Sequence, residues 1–145
     1  MSNLHSAPLS VGLTHSETLV VAERHTVPQV EPNWSGFADM PPVLATAMMI
    51  GFIEQTCIEG LRPFLSTAQR TVGIHVDVSH VAATPIGMKV TANVELTAIE
   101  GKTLVFKVAC RDESGLIGEG THRRAIIDLQ RFVQRLEEKA GRAGN

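Results

Sequence analysis

The chain has 145 residues, is 43% hydrophobic and 19% charged, and carries a formal net charge of -2. That suits one domain around one core, gives no broad pull toward nucleic acid or an anionic membrane, and with no Tyr, one Trp and five Phe leaves too few aromatics for a base-stacking platform. The longest uncharged apolar run is shorter than the ~20 residues that span a bilayer. The N-terminus lacks a basic stretch followed by an apolar one, so no secretory signal is expected and the protein is read as cytoplasmic.

Residues 1–12 read as a loose tail, 13–140 as one domain and 141–145 as a second tail. "ETLVVAERHTV" (Glu17 to Val27) has the Val and Thr content of a first strand. "PQVEPNWSGFADMPP" holds four of the seven prolines and reads as an irregular connection, long enough to be a functional lid. Pro41-Pro42 sits where a helix can start, and Val43 to about Glu59 or Leu61 is the expected helix, ended by Pro63. It is apolar nearly all round, so burial on most sides is expected.

Four strand-like runs follow: "RTVGIHVDVSHV", "GMKVTANVELTAIE", "TLVFKVACR" and "LIGEGTHRRAIID". In the second, Met88, Val90, Ala92, Val94, Leu96 and Ala98 alternate with polar residues, giving one buried face and one wet face. Consecutive strands on short turns pair antiparallel. Leu129, Phe132, Val133 and Leu136 are spaced as a short amphipathic C-terminal helix. A single buried helix and an antiparallel sheet with one apolar face are best satisfied when the sheet curls around the helix, an α+β arrangement. So small a sheet has edges to protect, and dimerisation is a common remedy.

The chemistry is sought first in "TAMMIGFIEQTC" (46 to 57). Eleven residues from Val43 to Ile53 carry no charge, and then Glu54 appears. Its neighbours at i-4, i-3, i+3 and i+4 are Ile50, Gly51, Cys57 and Ile58, so its own face is apolar. Burying a lone carboxylate there is costly; the alternative is that Glu54 opens the exposed end of the helix. In "TVGIHVDVSH", Val72, Ile74, Val76 and Val78 share a parity that His80 continues. A regular strand points His80 inward, toward the helix carrying Glu54, whereas a bulge or a strand end turns it to solvent. An inward Glu–His pair would supply general-base chemistry near neutral pH.

In "GEGTHRRAII", Gly118, Gly120, His122 and Arg124 share a strand face, and the glycines there permit close backbone approach. Two adjacent arginines on a strand are usually solvated. No metal-ligand spacing is present, and no cofactor is indicated. Cys57 and Cys110, without a C-x-x-C, read as reduced packing residues.

With these stretches in view, "TAMMIGFIEQTC", "VSHVAATPIG" and "IGEGTHRRAII" resemble the hotdog-fold acyl-CoA thioesterases, and among them fluoroacetyl-CoA thioesterase and its relatives. The resemblance covers residues ~23 to 138. It implies a catalytic set at Thr46, Glu54 and His80, carbonyl binding near the backbone of Gly73, and a substrate-side arginine at Arg124. It also implies an aromatic lid before the helix: Phe37 matches one lid position, while Met40 stands where the family has a second Phe. That departure fits another short acyl group at least as well as a fluorinated one. The resemblance further implies a homodimer with sites at its interface. Eight residues of straight helix rise ~12 Å, so Thr46 and Glu54 on one helix cannot both reach one carbonyl. Either Thr46 precedes the helix and caps it, or a second subunit closes the site.

The expected activity is therefore hydrolysis of a short-chain acyl-CoA, fluoroacetyl-CoA or a similar small thioester, with Glu54 as base or nucleophile. Two readings compete with it. A hotdog enoyl-thioester hydratase uses a carboxylate and a His close together on one loop, unlike Glu54 and His80. A non-catalytic acyl-CoA-binding module has no need of Thr46, Glu54 and His80 together.

Overall fold

The computed structural model describes residues 8–143. Of the tail expected over residues 1–12, residues 1–7 lie outside the described residues. Leu9 packs against the core, and the Gly12 N–H donates to the Leu96 carbonyl at 2.9 Å. The chain then forms strand β1 (Thr14–Val20) and two short helical turns, α1 (Val27–Val30) and α2 (Ser35–Ala38). The long helix α3 (Thr46–Leu61) follows, then strands β2 (Gln69–Val78), β3 (Lys89–Glu100), β4 (Thr103–Asp112) and β5 (Gly115–Asp128), and the terminal helix α4 (Leu129–Ala143).

The five strands form one antiparallel sheet in the order β1-β3-β4-β5-β2. The tight turns expected at Glu100-Gly101 and after Asp112 join β3, β4 and β5 into a meander. Gly101 supplies a φ of 65°, and Asp112 Oδ1 accepts from the Ser114 and Gly115 N–H groups. β2 and β3, expected to pair, do not. The segment between them carries the chain across the sheet, tied by Val81 N–H to the Ile117 carbonyl and Leu44 N–H to the Thr84 carbonyl, so β2 joins the far edge beside β5.

The first strand begins and ends earlier than its composition indicates. Val21 turns into the core, and His25 closes a short turn by accepting the Ala22 N–H at its Nδ1 (2.9 Å). The helix starts at Thr46 rather than Val43. Residues 43 to 45 are instead used as extended chain, with Val43 bridged to Pro85 and Ala45 at ψ 142°.

α3 lies on the concave face of the sheet. Met49, Ile53, Cys57 and Leu61 repeat every four residues and form the buried stripe. They meet Val90, Ala92, Val94 and Leu96 of β3, Leu104, Phe106, Val108 and Cys110 of β4, and Ile117 of β5. At ~1.5–3 kcal/mol for each fully buried large apolar side chain, this stripe is what fixes the helix to the sheet. Both cysteines are free and buried, and burial pushes each thiol up to about 12.

α3 is covered on most sides, as expected, but one stripe is bare: Ala47, Gly51 and Gln55 are exposed, and nothing lies within 4 Å of where a Cβ on Gly51 would sit. β2 is likewise open, with Ile74 and Val76 about half exposed on an edge strand. No helix among the described residues is long and apolar enough to cross a membrane.

Candidate active site

β2 and β5 build the polar part of the inner face. Their register shifts between Gly73 and His75, leaving Ile74 as the extra residue of a bulge. Opposed residues share a face, so Gly73 lies with Arg124 before the bulge, and Val76 with His122 after it. The bulge thus breaks the single parity expected for Val72 to Val78.

Arg124 and His122 are buried, at 3% and 1% exposure. A buried guanidinium must place its donors, and this one does. Nε donates to Thr71 Oγ1 (2.9 Å), Nη2 to the Thr71 carbonyl (2.9 Å), and Nη1 to Glu54 Oε2 (2.9 Å) and His122 Nε2 (3.1 Å). The Glu54 side chain is 38% exposed. It rests directly over Gly73, where a Cβ would collide with its Oε2. Arg124 is buried rather than solvated, and is the partner of Glu54.

The Glu54–His80 pair expected from parity is not formed within the chain. β2 ends at Val78, and His80 lies beyond it, beside the start of α3 rather than its middle. Its Nδ1 is hydrogen-bonded to Thr46 Oγ1 at 2.7 Å. Gly118 makes that approach possible, because a Cβ there would strike the Ser79 carbonyl. His80 Nε2 is buried and has no hydrogen-bond partner. Burial holds the imidazole below its ordinary value, partly offset by the backbone of Ala82. Thr46 is the first helical residue and does not cap the helix, whose N-cap is Ala45.

The loop before α3, expected to act as a lid, leads directly into this corner. Phe37 packs edge-on against Trp34 with ring centroids 5.1 Å apart, and Trp34 and Met40 are about half exposed, with Met40 six residues before Thr46. Among the described residues, no group of three His, Cys, Asp or Glu could hold a metal ion.

Thr71 and His122 were not singled out from sequence as site residues. His122 carried a signal, since it shares a face with Arg124 two positions on. Thr71 carried none, because its role depends on the strand pairing of β2 with β5.

The fluoroacetyl-CoA-specific thioesterase (FlK) profile matches residues 21–130. The chain belongs to this family. The fluoroacetyl-CoA thioesterase of Streptantibioticus cattleyicolor is 36% identical over 131 residues, which cover 90% of this chain and 94% of that protein. A variant of FlK solved with acetyl-CoA superposes with a TM-score of 0.88 at 35% identity, over 90% of this chain and 98% of that one. A hot-dog-like protein from Thermanaerovibrio acidaminovorans, at 21% identity and a TM-score of 0.77 over 90% of this chain and 93% of that one, shares the fold. The fold of this FlK-family chain is the hotdog fold.

Proposed function

We propose that this FlK-family protein hydrolyses a short-chain acyl-CoA thioester at a site completed by two copies of the chain, using Thr46 and His80 of one and Glu54 of the other. The family assignment supplies the reaction class: a thioester hydrolase acting on a small acyl-CoA. The observation that carries the shared site is the separation of the two groups. Thr46–His80 and Glu54 lie two turns apart on one helix, ~12 Å along its axis, and the face between them (Ala47, Gly51, Gln55) is bare.

A two-fold axis near Ile50 and Gly51, midway between residues 46 and 54, sets two α3 helices antiparallel. Each Thr46 then comes beside the partner's Glu54. Small residues at the crossing allow close approach, and the open β2 edges can pair to continue the sheet. The apolar exposure of Ile74 and Val76 fits the same arrangement.

Thioester hydrolysis needs a nucleophile, a home for the oxyanion and a route for the leaving thiolate. Arg124 holds Glu54 Oε2, which leaves Oε1 to take a proton from water or to attack the carbonyl itself. His80, neutral and with Nε2 unpartnered, is suited to orient the carboxylate, or to take up the proton that Glu54 removes from water and pass it to the departing sulfur. Backbone N–H groups at Gly73 or the start of α3 would receive the oxyanion; losing one such donor costs ~10²–10³ in rate. Trp34, Phe37 and Met40 would close over the acyl group, restricting it to short chains.

Release of CoA thiol from C2 to C4 and C12 to C16 acyl-CoAs tests the reading. Glu54→Gln is expected to lose ~10²-fold or more while remaining folded. Mixing inactive Glu54→Gln with inactive His80→Ala tests the sharing. Random reassociation gives heterodimers with one intact site, restoring about a quarter of wild-type activity. No recovery on mixing, or an active monomer by light scattering, rejects the shared site.

A further inference from the structure

The catalytic reading leaves the buried His122 without a task. His122 is 1% exposed, lies on the inner face of β5, and is hydrogen-bonded to the machinery through Arg124. We propose that His122 is a positioning residue that holds Arg124, and through it Glu54, and does so only as the neutral imidazole. This rests on the reading of Glu54 as the reacting carboxylate.

The tautomer follows from the partners. The His75 carbonyl can only accept, so His122 Nδ1 carries the hydrogen and donates it at 2.8 Å. Nε2 is then the acceptor and takes a hydrogen from Arg124 Nη1, 3.1 Å away. Nη1 has two hydrogens; the second goes to Glu54 Oε2. The bulge that separates Gly73 from His75 therefore does more than shift a register. It places the His75 carbonyl where it sets the state of a histidine across the sheet. A chain of donors runs from His122 Nδ1 to the His75 carbonyl, from Arg124 to His122 Nε2, and from Arg124 to Glu54, with the far side of the guanidinium anchored on Thr71.

Protonation would reverse the middle link. Nε2–H would face Nη1–H, and a buried imidazolium would stand 3.1 Å from a buried guanidinium. One of the two must move, and Arg124 is the one that carries Glu54 with it. The charged and titratable groups around His122 are Arg124 on its own strand, His75 on β2 and Glu54 on α3, with Cys57 beyond them beside Arg124 and Glu54; its neighbour on β4 is Phe106. Burial, the largest influence, holds the imidazole below its ordinary value. The His75 carbonyl opposes this, Arg124 adds to it, Glu54 opposes it, and His75 adds weakly. The Cys57 thiol, pushed up to about 12, stays neutral. His122 is thus held in the acceptor state at neutral pH and releases the network in acid.

Three variants and one spectrum test this. His122→Gln keeps an acceptor within reach of Arg124 and cannot ionise; His122→Leu fills the space without an acceptor; Glu54→Gln controls the parent reading. In wild type, kcat is expected to fall in acid with two protonations, those of His80 and His122, and KM to change little. His122→Gln should keep kcat within about threefold and lose one of the two protonations. His122→Leu should lower kcat at all pH values by about 10- to 100-fold, the range expected of a misplaced reacting group. Nitrogen-15 shifts of the His122 ring should report the Nδ1–H tautomer at pH 7, whether or not Glu54 is catalytic.

A His122→Gln acid limb identical to wild type overturns the proposal even if His122→Leu fails to fold. So does an Nε2–H tautomer or a charged ring at pH 7. If Glu54→Gln is inactive while His122→Leu matches wild type throughout, His122 alone is relieved of its role. Full activity in Glu54→Gln removes both readings.

Discussion

The two polar clusters beside α3 are built in opposite ways. Around Glu54, the buried Arg124 spends its hydrogen bonds on Thr71, His122 and the carboxylate, and the cluster is nearly complete within one chain. Around His80, a single hydrogen bond to the exposed Thr46 is set against a buried nitrogen with no partner. The first cluster is saturated with hydrogen bonds; the second is sparse. Satisfied buried networks rigidify, whereas an unsatisfied buried polar atom in a native protein calls for an explanation in strain, catalysis or binding.

The sharpest way to break this contrast is to disturb the complete cluster without touching its hydrogen-bonding groups. Gly73→Ala puts a methyl against Glu54 Oε2 and 3.3 Å from Arg124 Nη1, at a position whose φ is not in the left-handed region. A loss in kcat of ~10²-fold is expected, with far-ultraviolet circular dichroism unchanged. Activity near wild type would show that the carboxylate need not sit where it does.

The open cluster should be more forgiving. Thr46→Val preserves shape and removes the hydroxyl from His80, and a fall in kcat of about tenfold is expected, near the value of one hydrogen bond. An effect larger than that of Gly73→Ala would invert the ranking of the two regions.

Acid should weaken both clusters through stability. His25, His80 and His122 are each held below the ordinary histidine value of 6.5, burial being the largest cause in every case. The unfolded chain therefore binds more protons than the native one as pH falls through 6.5 and below, so stability rises with pH over that window and is fully present above it. His25 adds a structural reason, since its Nδ1 accepts the Ala22 N–H and cannot do so when protonated. Thermal melting is expected at lower temperature at pH 5 than at pH 7.5, and His25→Gln should flatten that dependence.

The smallest effect is at the lid. Met40 is flexible where a rigid ring would fix pocket shape, so Met40→Phe should sharpen discrimination among C2 to C4 thioesters by a few-fold. Faster turnover of C12 or C16 than of C2 to C4 chains in the wild type would remove the lid reading.

The sheet, the central helix and the meander were legible because periodicity and turn residues are local signals. The alternation from Val90 to Leu96 is the buried face of β3 itself. What escaped was non-local. Nothing in residues 79–88 announces that β2 crosses to the far edge, and the bulge at Ile74 is visible only against β5. Those two facts redirect Glu54 from His80 to Arg124. The apolar run from Val43 to Ile53 promised burial on most sides, and one face of α3 stays bare because a single chain has no second layer to offer it.

The two cysteines bear on how the protein can be measured. The colour reagents that count released CoA react with thiolate at accessible sulfur. Cys57 and Cys110 are sealed in the core and, with thiols pushed up to about 12, stay protonated at assay pH. The native protein is therefore silent toward such a reagent, and the colour records product alone. Once the core opens both sulfurs answer at once, so the same reagent, without substrate, becomes a clock for unfolding.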